Sequence, residues 1–171
     1  MSIDTLKSKI PDYAKDIKLN LSSLANEDVL SDQQKWGCFL ACAMNTGNTF
    51  LIKEIEEEAL DNLSEAAFNA AKSAASVMAM NNIYYRFTHI ASNKEYAKLQ
   101  AKLRMNVIGN PGVDKVDFEL WSLAVSALNG CGMCIDAHEA TLIKEGMTAE
   151  QIQASVRIAS VVNAVAVSMA L

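Results

Sequence analysis

Apolar residues recur three and four positions apart over most of this chain. They do so across 13–24, 31–44, 49–61, 64–80, 117–128, 131–145 and 148–170, and that spacing lines one face of a 3.6-residue turn, which predicts amphipathic helices. A looser helical segment is placed at 93–106. Ser64 and Thr148 stand where N-caps belong, each before a helix-forming turn and a long apolar face. Pro11 and Pro111 alone interrupt the string, and Asn110-Pro111-Gly112 is the sharpest turn signal. The expected fold class is all-α.

Self-similarity suggests an internal two-fold repeat. At an offset of 85, Trp36 aligns with Trp121 and Gly47 with Gly132; at 84, Ala75-Ser76-Val77 aligns with Ala159-Ser160-Val161. Each half then reads as a helix pair followed by a long helix of small residues.

Composition supports packed helices. Hydrophobic residues form 51% of the chain but aromatics only 6%, so the core is built from Ala, Leu, Ile, Val and Met rather than the aromatic and β-branched residues that strands favour. The 171 residues suit one domain over 1–171 with a sizeable core. A net charge of -5, with no basic stripe, argues against nucleic acid as a partner.

Residues 1–20 mix Lys and Asp with apolar residues and contain no uninterrupted apolar run, so they do not read as a signal peptide. The expected location is the cytoplasm, where four cysteines point to catalysis or metal binding rather than a structural disulfide framework. The apolar stretch 156–171 carries Arg157 and Asn163 and falls short of the roughly 20 residues a membrane span requires. It is read as a core or subunit-interface helix, with no membrane partner.

Candidate chemistry concentrates in Asn129-Gly130-Cys131-Gly132-Met133-Cys134-Ile135-Asp136-Ala137-His138. Asn-Gly ends one helix and Cys131 opens the next, so both thiols sit in a first turn. There the free backbone N–H groups and the helix dipole favour a thiolate. At about 100° per residue, Cys131, Cys134 and His138 share one helix face. If the flanking helices form an antiparallel hairpin about Asn129-Gly130, Glu119 comes level with His138. A carboxylate there would orient the imidazole and help it take a proton from Cys134, directly or through water. The expected relay runs Cys134, His138, Glu119.

Other readings of the same residues remain. Cys131 and Cys134 could be half of a zinc site completed by Cys38 and Cys42, although those two lie one turn apart among Phe39, Leu40 and Met44, as core cysteines do. His89, after Tyr84, Tyr85 and Phe87, is read as structural. Glu119 alone would be a solvated helix-start acid. Met133 is an ordinary helix residue whose thioether would meet any oxidant entering the site.

Phe118-Glu119-Leu120-Trp121, Asn129-Gly130-Cys131 and Cys134-x3-His138-Glu139 resemble motifs of the alkyl hydroperoxide reductase D family, within the carboxymuconolactone decarboxylase-like group. The likeness extends from Asp16-Ile17-Lys18-Leu19-Asn20-Leu21 through Met80-Asn81-Asn82 and Leu103-Arg104-Met105-Asn106 to the C-terminal helix. It implies an all-α homotrimer that reduces alkyl hydroperoxides, has no tightly bound cofactor and takes electrons from the dihydrolipoyl group of a lipoyl carrier protein. It also implies regeneration of a peroxiredoxin, alkyl hydroperoxide reductase C. Under the resemblance Cys134 is the peroxidatic thiol that becomes a sulfenic acid. Cys131 is the more exposed thiol, which donates a proton and closes the disulfide, and Glu119 and His138 form the proton relay. The family often has a histidine between the two cysteines, where this chain has Met133.

Three function classes stand on these residues: a lipoyl-dependent peroxidase, a general thiol-disulfide oxidoreductase, and a zinc-stabilised helical module. A decarboxylase reading is weaker, because redox cysteines serve no purpose in that chemistry.

Overall fold

A computed structural model describes residues 2–169. Every regular element among them is helical, as the apolar spacing predicts. The long helices are α1 (Ser2–Lys9), α2 (Lys15–Ala25), α3 (Asp32–Thr46), α4 (Thr49–Asn62), α5 (Glu65–Ile90), α6 (Lys115–Leu128), α7 (Gly132–Lys144) and α8 (Ala149–Ser168). Position 170, where the sequence pattern ends the last helix, lies outside the described residues.

Helix starts follow local side-chain chemistry. Ser64 Oγ accepts from Ala67 N at 3.2 Å, and Thr148 pairs reciprocally with Gln151 in a capping box, so both expected caps are present. Ser31 and Gln34 form a second capping box at the start of α3.

Three elements depart from the sequence pattern. Helix α1 was not expected; it forms because Ile3, Leu6 and Ile10 fall on one buried stripe and pack it toward α4, and Pro11 ends it. Helix α5 runs ten residues past 80, where the apolar spacing ends it. Asn81 and Asn82 are buried, and Asn82 Nδ2 donates to Ser126 Oγ at 2.9 Å, so tertiary pairing outweighs their weak helix propensity. The segment 93–106 is a correction in the other direction. It holds only short 3-10 turns, Tyr96–Lys98 and the first residue of Asn106–Ile108, because no apolar residue within it is fully buried to anchor a helix.

Helix α3 is the centre of the bundle, with residues 35–43 all buried and with α4, α5, α6 and α8 packed around it. Its contact with α6 is polar at the start and the end. Asp117 accepts from Gln33 Nε2 at 2.6 Å and Gln34 Nε2 at 2.9 Å, while Asn129 Nδ2 donates to Asn45 Oδ1 at 3.2 Å. Start meets start and end meets end, so the two helices run in the same direction. Between these contacts Gly37 faces Trp121, whose indole occupies the space a Cβ would need and whose Nε1 donates to Gln34 O at 3.1 Å. The glycine that costs α3 about 1 kcal/mol of helix propensity is what lets the two helices approach.

The order of elements is alike in both halves: α3, α4 and long α5, then α6, α7 and long α8. Gln33 with Asp117, and Asn45 with Asn129, each join residues 84 apart. Helix α8 includes most of the apolar stretch that begins at 156, and it buries Ile158, Ala159, Val162 and Val165 against the core. Among the described residues no helix is long and apolar enough to cross a membrane.

Candidate active site

One turn closes α6 and opens α7. Gly130 adopts φ 67°, the left-handed conformation that glycine enters without a Cβ penalty. Gly130 N donates to Ala127 O at 3.1 Å and Cys131 N to Ser126 O at 3.0 Å, the paired bonds of a Schellman motif. Cys131 then caps α7, its sulfur accepting from Cys134 N at 3.3 Å. The Arg86 guanidinium donates to Asn129 O at 2.5 Å, fixing the turn from α5.

Cys131 and Cys134 are joined in a disulfide, with Cα atoms 5.3 Å apart. One turn further along α7, His138 places Nδ1 2.6 Å from Oε2 of Glu119 on α6. The antiparallel hairpin thus brings Glu119 level with His138, and burial of both side chains strengthens the pairing by excluding water. Glu119 is therefore not a solvated surface acid.

Exposure of the two cysteine residues differs from the expectation carried by resemblance. Cys131 is 0% exposed and Cys134 6%. Cys131 is the less exposed because, as the cap, its side chain folds back over the first turn of α7.

The other ring nitrogen of His138 meets a thioether. Nε2 lies 3.3 Å from Sδ of Met78 on α5, a residue that sequence reasoning missed. Around that sulfur lie Asn82 and Ser126, and Asn129 Nδ2 donates to Asn82 Oδ1 at 3.0 Å. A polar network therefore ties the imidazole to the turn that carries the disulfide. The nearest signal was the amide pair Asn81-Asn82, about one turn further along α5, and nothing in the sequence marks Met78 itself.

The remaining candidates lie elsewhere. Cys38 and Cys42 are free and wholly buried in α3. Burial raises the Cys38 thiol well above its ordinary range, with Cys42 and Asp117 adding to the shift, and burial alone raises Cys42. Among the described residues no group of three or more His, Cys, Asp and Glu is placed to hold a metal ion, so the four cysteines are not gathered into one ligand set. His89 is exposed at the end of α5. Met133 is 36% exposed and lines a pocket of about 270 Å³ with Tyr84, Tyr85 and Tyr96.

The raised thiols have a consequence for stability. The native state keeps two protons that the unfolded chain releases above about pH 8.5. The stabilisation is complete below that pH and is lost as pH rises toward the folded-state values, at up to about 1.4 kcal/mol per pH unit for each thiol. Urea unfolding between about pH 8 and about pH 10 should therefore weaken more steeply in the parent than in a Cys38→Ala, Cys42→Ala double variant. Parallel pH dependences would show that these thiols ionise alike in both states.

The sequence comparisons agree with this architecture. The model of the carboxymuconolactone decarboxylase family matches residues 94–171, which include α6, the disulfide turn and α7. A protein from Hyphomonas neptunium called alkyl hydroperoxide reductase AhpD is 64% identical, over 97% of this chain and 92% of its own length. Proteins of the same name from Maricaulis maris and Brucella anthropi are 61% and 60% identical, each over 99% of this chain and over 98% and 97% of their own lengths. At that identity and coverage, the chain belongs to the alkyl hydroperoxide reductase AhpD family, within the carboxymuconolactone decarboxylase-like group.

Proposed function

We propose that this protein is an alkyl hydroperoxide reductase that turns over through Cys131 and Cys134 and is reduced by a dihydrolipoyl group on a carrier protein. The observation that carries the reading is the Cys131–Cys134 disulfide at the start of α7, one turn from the His138–Glu119 pair. The names of the close relatives point to the same activity.

In the reduced enzyme the Cys134 thiolate attacks the O–O bond of the hydroperoxide. Sulfur takes one oxygen as a sulfenic acid, and the alkoxide leaves as the alcohol with a proton from Cys131. The Cys131 thiolate then attacks the sulfenic sulfur and forms the disulfide, and the hydroxide that leaves takes a proton from solvent as water. His138 accepts the proton that Cys134 must lose, and Glu119 holds the imidazole in place. A dithiol restores the pair by attacking Cys131 and closing on itself, so two electrons and two protons return per hydroperoxide. No tightly bound cofactor enters this cycle.

The same reduced pair would serve a disulfide partner, the peroxiredoxin alkyl hydroperoxide reductase C. The full reading is a homotrimer of chains folded as one domain over residues 1–171, working in the cytoplasm.

A general thiol-disulfide oxidoreductase is the second reading, favoured by the fact that any dithiolate reaching a disulfide sulfur can open it. Comparing turnover of a fixed hydroperoxide with dihydrolipoamide, reduced thioredoxin and glutathione at matched concentrations separates the two. Turnover should be greatest with dihydrolipoamide and vanish in Cys131→Ser. Equal or better turnover with thioredoxin would move the protein to the second class.

A further inference from the structure

Three helices meet at the sulfur of Met78. The residue lies on α5 and is 1% exposed. Its Sδ stands 3.3 Å from His138 Nε2 on α7, 3.7 Å from Ser126 Oγ on α6 and 3.9 Å from Asn82 Nδ2. Among the described residues Glu119 is the charged group hydrogen-bonded to the imidazole.

The proton inventory of this cluster is constrained by what each partner can do. Glu119 Oε2 engages Nδ1 at 2.6 Å. A thioether has no hydrogen to give and acts only as a weak acceptor. An Nε2 lone pair turned toward Sδ would set two acceptors against each other inside a buried site, whereas an Nε2–H makes a bond. The arrangement therefore fits an imidazole whose Nε2 carries a hydrogen, with Nδ1 held by Glu119.

We propose that Met78 is a positioning residue for the peroxidase reaction. Its thioether accepts from the His138 Nε2–H in the disulfide state and keeps the ring oriented until reduction supplies the Cys134 thiolate as a stronger acceptor. A weak acceptor suits this task, because it satisfies a buried N–H without competing for the proton once the thiolate is present. Apolar side chains at the position would fill the same space but leave Nε2–H unpaired.

The proposal rests on the peroxidase reading, yet its first test needs no peroxide. The full chain in its disulfide form, labelled with ¹⁵N histidine, contains two histidines, and exposed His89 serves as an internal reference. At neutral pH, the His138 Nε2 signal should be that of a protonated nitrogen in the parent. In Met78→Leu, which keeps the volume but removes the acceptor, it should move toward the unprotonated form, and Met78→Gln, which offers an amide oxygen, should restore it with His89 unmoved. In the reduced enzyme, Met78→Leu should lower single-turnover hydroperoxide reduction by about threefold to tenfold, with recovery in Met78→Gln. An unprotonated Nε2 in the parent overturns the proposal, and this measurement needs no variant to fold. A His138 signal unchanged in Met78→Leu overturns it too. Absence of hydroperoxide turnover in the parent, with the nitrogen signals behaving as expected, would instead count against the peroxidase reading.

Discussion

Cys134→Ser should abolish hydroperoxide reduction, whereas Cys131→Ser should still consume one equivalent of hydroperoxide and stop with a sulfenic acid on Cys134. The asymmetry follows from position. Cys134 is one turn before His138 on α7, the better-placed of the two thiols to lose a proton toward the imidazole, and it retains the small exposure that an entering peroxide needs. Cys131 caps the helix and is fully buried in the disulfide, a place suited to closing the bond rather than meeting the substrate. A dimedone-type label followed by peptide mass analysis reads the outcome directly. Labelling of Cys131 in Cys134→Ser, with an unreactive Cys134 in the converse variant, would exchange the roles.

Glu119→Gln and His138→Gln should each slow hydroperoxide reduction by about a hundredfold, the lower range for a general acid-base group. Each should also shift alkylation of Cys134 to higher pH. The double variant should lose little beyond the worse single one, because a 2.6 Å buried pair works as one unit and its members' effects do not add. Glutamine keeps the hydrogen-bonding shape at 119 while removing the charge, so thermal unfolding of each variant separates lost chemistry from lost fold. Losses that multiply fully in the double variant would show the two residues acting independently.

The hairpin register was readable in advance because it depends on few things: a turn signal at Asn129-Gly130, and a count of residues on either side. Seven of the helices follow from apolar spacing for the same reason. Interactions between distant segments were not readable. The extension of α5 past residue 80 depends on Asn82 meeting Ser126 and Asn129, and a lone sequence shows only two helix-disfavouring amides. Met78 is invisible in the same way, since a methionine in an Ala-rich helix looks like core until its sulfur is seen against an imidazole. The failed helix at 93–106 has the opposite cause: its looser spacing gathers no continuous apolar face, and its apolar residues end exposed or only partly buried on the bundle. The internal order of Cys131 and Cys134 exposure also escaped, because it turns on how a capping side chain folds over its own helix.

The Schellman turn ties two helix ends together through a single residue, since the backbone N–H of Cys131 closes α6 while its sulfur opens α7. Local opening that exposes that sulfur would loosen both helix ends together, because one residue holds them. Under the proposed electron donor, a dithiol borne on a docked carrier would wait beside the turn at an effective concentration on the order of millimolar and meet the opening more often than a dilute free thiol. On that proposal, the geometry of one turn would convert a generic chemical reactivity into a preference for delivered electrons.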